Sequence, residues 1–69
     1  MIRHYIQLLY IDSRDEKRQF VIEQESLAVA DQLVSEILER GAARIVVENC
    51  IEFIPLHRIV LIRIASEKD

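Results

Sequence analysis

The chain reads as an α+β domain, an antiparallel four- to five-stranded sheet with one amphipathic helix on one face, in the order β-β-α-β-β(-β). Three observations predict this. Residues 26–40 place apolar side chains at helical spacing between a capping serine and a terminating glycine. Residues 45–64 are rich in β-branched side chains but are interrupted by Glu48, Glu52, Pro55-Leu56-His57-Arg58 and Arg63. The connections are short, which favours antiparallel strands with the helix laid across them.

Arg3 to Ile11 is the first predicted strand. His4, Ile6, Leu8 and Tyr10 fall on one face, and Arg3, Tyr5, Gln7, Leu9 and Ile11 on the other. Both faces are partly apolar, as in a central strand. Asp12 to Arg18 is wholly polar and rich in turn formers, the loop of a hairpin. Gln19 to Gln24 is the returning strand, with Phe20 and Ile22 on one side and Val21 and Glu23 on the other.

Ser26 is placed to cap a helix, its hydroxyl accepting from a free amide of the first turn. Val29 stands where a capping box would have an acid. Leu27, Ala30, Val34, Ile37 and Leu38 form the apolar stripe, widened by Val29 and Leu33. Glu36 and Arg40 stand four apart in the order that favours an ion pair. Gly41 ends the helix by entering the left-handed conformation.

Arg44 to Glu48 and Cys50 to Ile54 read as two strands joined by a tight turn at Glu48-Asn49, which lacks the glycine usual there. Pro55 cannot donate to a ladder and ends the fourth strand or marks an edge. Leu56-His57-Arg58 forms a corner, and Ile59 to Ile64 is the last strand. The domain spans residues 1–65, and 66–69 is a polar, frayed tail.

A chain of 69 residues makes one domain and buries only about 60% of the surface its unfolded form exposes. Yet 51% of the residues are hydrophobic, with one glycine and one proline, so the chain is globular and not disordered. That is more apolar material than one helix layer hides, and a homo-oligomer, a dimer first, is expected.

The net charge of −3 gives no overall pull toward phosphate backbones or anionic lipid. No signal peptide is read, and no uncharged run approaches the ~20 residues of a membrane span. The single Cys50 fits a reducing compartment, and the cytoplasm is expected.

Residues that carry chemistry are few. His57 and Arg58 on a rigid corner suit an anion or nucleic-acid contact, with Arg14, Lys17 and Arg18 on the hairpin loop reaching the same ligand. Set against this, Asp12, Asp15 and Glu16 interleave with the loop cations, and Arg58 has acids to pair with. Tyr5, Tyr10, Phe20 and Phe53 can stack on bases only if they share an exposed face. His4, His57, Cys50 and Glu52 are scattered and lack metal-ligand spacing. Cys50 has no base beside it in sequence and is expected to be a buried thiol.

Glu48 and Glu52 stand near each other in sequence, but a glycosidase-type pair needs a sugar cleft. With Gly41 alone there is no phosphate loop, and no nucleophile-elbow sequence exists. No catalysis, cofactor or metal is expected.

Asp31, Glu36 and Glu39 give the helix a negative stripe that opposes a membrane and suits a basic protein partner. The function expected is a small non-catalytic accessory or regulatory protein of bacterial or phage type, acting through protein contacts and self-association. The alternative is a nucleic-acid-binding module using the 12–18 loop and the His57-Arg58 corner. A third reading is a small-anion or nucleotide sensor at a subunit boundary.

Overall fold

A computed structural model of the chain describes residues 1–68. Among them lie five strands and one helix in the expected order: β1 (Ile2–Ile11), β2 (Lys17–Gln24), α1 (Leu27–Arg40), β3 (Ala42–Val47), β4 (Cys50–Pro55) and β5 (Ile59–Lys68). One 3₁₀ turn, Leu56–Arg58, forms the corner before β5. Every strand pair is antiparallel. The strands divide, however, into a three-stranded sheet, β2-β1-β5, and a two-stranded ribbon, β3-β4.

The division has a length argument. A 14-residue helix extends about 21 Å, whereas a 10-residue strand such as β1 runs about 33 Å. The helix therefore covers only part of the sheet face. Ala43, Ile45 and Ile54 of the ribbon pack face-on against Leu8 and Tyr10 of β1, and Phe20, Ile37, Val47, Ile59 and Ile62 close around them. Packing these side chains on the sheet takes their apolar surface out of water.

β1 is the central strand and presents Ile6, Leu8 and Tyr10, all buried, to this core. This is the face that its alternation predicts. Tyr5, Gln7 and Leu9 lie on the opposite face, which no other element among the described residues covers, with Val21 and Leu61 beside them in register.

The helix begins as predicted, with Ser26 Oγ accepting from the Val29 amide at 3.2 Å. It ends at Gly41 (φ +80°), whose N–H donates to the Ile37 carbonyl. The Gly41 carbonyl then accepts from the Leu56 amide at 3.0 Å, tying the helix end to the corner. Ala30 is buried and Val29, Leu33, Val34 and Ile37 are half-buried, but Leu27 and Leu38 of the predicted stripe are exposed. Glu36 and Arg40 do not close to ion-pair distance, so the predicted pair is not made.

β3 and β4 meet in a two-residue turn, Val47 pairing with Cys50. Glu48 takes a positive φ of 52° there, the position at which a two-residue turn usually has glycine. Cys50 is free and exposed at the ribbon tip, not buried as its sequence context suggested.

Ser66, Glu67 and Lys68 continue β5, pairing with His4, Arg3 and Ile2, where the sequence suggested a frayed tail. The tail boundary moves because the alternation of β5 carries on in polar residues opposite the start of β1. Asp69 lies outside the described residues.

Candidate functional site

The hairpin loop and the corner, more than forty residues apart in sequence, come together at one end of the molecule. Asp12 organises the loop. Its Oδ1 accepts from the backbone amides of Arg14 (2.8 Å) and Glu16 (3.0 Å), and its Oδ2 accepts from Arg18 Nε (2.8 Å). Its own amide donates to the Glu16 carbonyl and its carbonyl accepts from the Asp15 amide. An aspartate at the first position of a turn makes such bonds because its short carboxylate reaches the amides two to four residues on. Asp15 then takes φ +62°, a conformation that Asp tolerates better than most residues.

Arg58 enters from the corner. One guanidinium nitrogen donates to Asp15 Oδ1 at 3.0 Å and to the Asp12 carbonyl at 3.3 Å. Arg18 also reaches Glu16 at 3.4 Å. Two of the three arginines expected to meet a ligand, Arg18 and Arg58, are thus engaged by loop carboxylates. Arg14 and Lys17 are exposed, and their side chains make no ion pair among the described residues. His57 is exposed on the 3₁₀ turn.

A groove of about 380 Å³ runs between this loop and β4, lined by Tyr10, Asp12, Ser13, Glu52, Phe53, Pro55 and Arg58 among others. Its acids, Asp12 and Glu52, stand against one cation, Arg58, which already holds Asp15. Such a charge balance does not favour an anion. Glu52 is directed here by its register opposite Ile45, while Glu48 sits in the turn, so the two do not form a pair.

The Arg18 guanidinium, followed by the Glu16 amide, holds the Asp12 carboxyl down at a pKa of about 2, and Asp12 in turn raises Arg18. A carboxyl whose pKa is lower folded than unfolded contributes stability above its ordinary pKa. That contribution is lost as pH falls through the folded value. Between roughly pH 4 and pH 2 the melting temperature is therefore expected to drop, and Asp12→Asn to show a shallower drop than the parent. Superimposable acid profiles for the two proteins would count against Asp12 as a contributor.

The remaining predicted residues are dispersed. His4 is half-buried on β1 and shares a hydrogen bond of 2.9 Å with Ser66 Oγ. Of the helix acids, Asp31 and Glu39 are exposed. Glu36 is half-buried and lines a second groove with Ile37, Arg40, Arg44 and Phe53. Tyr10 and Phe20 both turn to the core, Tyr5 lies on the open sheet face and Phe53 on the outer face of the ribbon, so the four share no exposed face. Among the described residues no three His, Cys, Asp or Glu side chains converge. No helix among them is long and apolar enough to cross a membrane.

Apolar surface lies on the open sheet face, where the alternation of β1 and β2 puts Leu9 and the exposed Val21, and also on the ribbon, where it was not expected. On the outer face of the ribbon Val46, Ile51 and Phe53 are 57%, 51% and 67% exposed. The alternation of β3 and β4 contained this signal, since Ala43, Ile45 and Ile54 point the other way. A further apolar groove lies between α1 and β5, lined by Val34, Leu38, Leu56, Ile59 and Ile62 and by both Val60 and Leu61. Compared with protein-family models, curated proteins and solved structures, the chain matches none.

Proposed function

We propose that this is a small accessory protein that works by self-association and by protein contacts, without catalysis. The observation that carries the reading is the apolar trio Val46, Ile51 and Phe53, left open on the ribbon after helix and ribbon have both packed on the sheet. Arg44, opposite Phe53 on the same face, adds one cation to that surface. An exposed apolar cluster rimmed by charge is the usual composition of a protein-binding surface. The free thiol of Cys50 supports a reducing setting such as a cytoplasm.

The nucleic-acid reading is the weaker one, because Arg18 and Arg58 are paired with Asp12 and Asp15. Binding to single-stranded or duplex DNA at about 50 mM salt that falls steeply as salt rises would restore it.

The principal test is mass and stability together. Light scattering at micromolar concentration is expected to give the mass of two chains, and a one-chain mass counts against self-association. Phe53→Ser is expected to change stability by no more than about 0.5 kcal/mol, as for a surface position. A larger loss shows that Phe53 serves the fold and not a partner.

A further inference from the structure

We propose that the self-associating unit is a two-fold dimer in which β5 pairs antiparallel with β5 of a second copy, centred on Ala65. The proposal rests on the reading of the chain as self-associating and specifies the surface that does it. β5 is an edge of the three-stranded sheet, so one side of its backbone has no neighbouring strand. An open edge is a template for another strand unless something blocks it.

Among the described residues the β1–β5 ladder has one irregularity, at the start of β5, where the register shifts between Leu9 and Tyr10 and Val60 has no partner. From Leu61 to Lys68 the ladder is regular.

Two-fold symmetry allows only registers in which one residue faces its own copy. Side-chain chemistry then selects among them. Centring on Arg63 sets two arginines against each other. Centring on Ile64 puts Glu67 opposite Leu61 and Arg63 opposite Ala65. Centring on Ser66 puts Glu67 opposite Ala65 and gives Arg63 no acid to face among the described residues.

Centring on Ala65 places Arg63 opposite Glu67 of the second copy, twice, with the small Ala65 at the axis and Ile64 opposite Ser66. Residues directly opposite in an antiparallel pair lie on one face, so these charges meet.

The charges are disposed for this. Arg63 is exposed, faces Gln7 across its own sheet, and makes no ion pair among the described residues. Glu67 stands opposite Arg3 on β1, so Arg63 of the second copy completes an alternating row on that face. The other edge, β2, is less free: its Glu23 is bonded to Arg3 and its Arg18 to Asp12. The symmetry puts both helices on one face of the joined sheet.

The test is charge complementation. Arg63→Glu is expected to weaken the dimer by at least about tenfold while its melting curve keeps the folded shape, and Glu67→Arg to do the same. Mixing the two variants restores every opposite-charge pair, so a one-to-one heterodimer is expected at concentrations where each alone is a single chain. As a register check in a Cys50→Ser background, Ala65→Cys should form a disulfide-linked dimer faster than Ile64→Cys or Ser66→Cys. A parent protein of one-chain mass overturns self-association and this proposal together. A dimer that persists unchanged in Arg63→Glu, or that cross-links best through position 64 or 66, overturns the edge pairing and leaves self-association standing.

Discussion

Replacing Ile45 with alanine is expected to lower the stability of the entire chain by about 2–5 kcal/mol. Ile45 belongs to the two-stranded ribbon, so a local effect would be the simple guess. Its side chain, however, is among the most deeply buried, and it shares a cluster with Leu8 and Tyr10 of the main sheet. The two sheets thus have one core, and a void at Ile45 withdraws contacts from both.

A domain of this length has a total stability on the order of 3–10 kcal/mol. The loss is therefore a large share of what there is. Ile45→Val, which removes one methyl, should cost about 0.5–1.5 kcal/mol. In a Tyr5→Phe background, urea unfolding followed by far-ultraviolet circular dichroism and by the near-ultraviolet signal of Tyr10 is expected to give one coincident transition in both variants. Separate transitions, with the Tyr10 signal surviving the loss of the ribbon, would show that the ribbon unfolds alone.

The second large effect is expected at Gly41. Its φ of +80° lies where a side chain is strained, but a Cβ built there meets nothing within 4 Å. The cost of substitution is therefore in the backbone and not in packing. Gly41→Ala should cost about 1 kcal/mol, a fall of roughly 4–8 °C in melting temperature for a domain of this size. Gly41→Leu should cost nearly the same, and Gly41→Asn less, since asparagine enters the left-handed region more readily. A leucine penalty far above the alanine penalty would mean that the space is not open. The position matters beyond the helix because the Gly41 carbonyl also holds the Leu56 amide, and Leu56 begins the corner that carries Arg58.

Much of this architecture was legible because local chemistry and global packing agree. Ser26 and Gly41 bracket the helix in sequence and in space, and the alternation of β1 selects the face that is buried. A hairpin loop opening at Asp12 followed from composition, but it was read as far as Arg18, whereas Lys17 and Arg18 already belong to β2.

What sequence could not deliver were choices made over long distances. The separation of β3-β4 from the main sheet depends on how far a helix reaches along a longer strand, which periodicity does not record. Helical spacing placed Leu27 and Leu38 in the stripe, yet they overhang the elements below them. Of the cations singled out for a ligand, Arg18 and Arg58 are partnered by Asp12 and Asp15, whereas Arg14 and Lys17 make no ion pair among the described residues. The acids of the loop were noted as diluting the field, but the reach of Arg58 across the fold has no sequence signature. The Asp12 hub had one, an aspartate opening a turn ahead of free amides, and it is the signal to weigh in similar loops.

The position of β1 has a kinetic corollary. This strand comes first in the chain but sits in the middle of its sheet, between β2 nearby in sequence and β5 at the far end. One of its ladders can zip from a tight loop, while the other must bring residue 2 to residue 68 across the whole intervening chain. Contacts of such wide separation slow the search for the native state. Until that last closure, Ile6, Leu8 and Tyr10 stand only half enclosed, and the nascent molecule is at its stickiest.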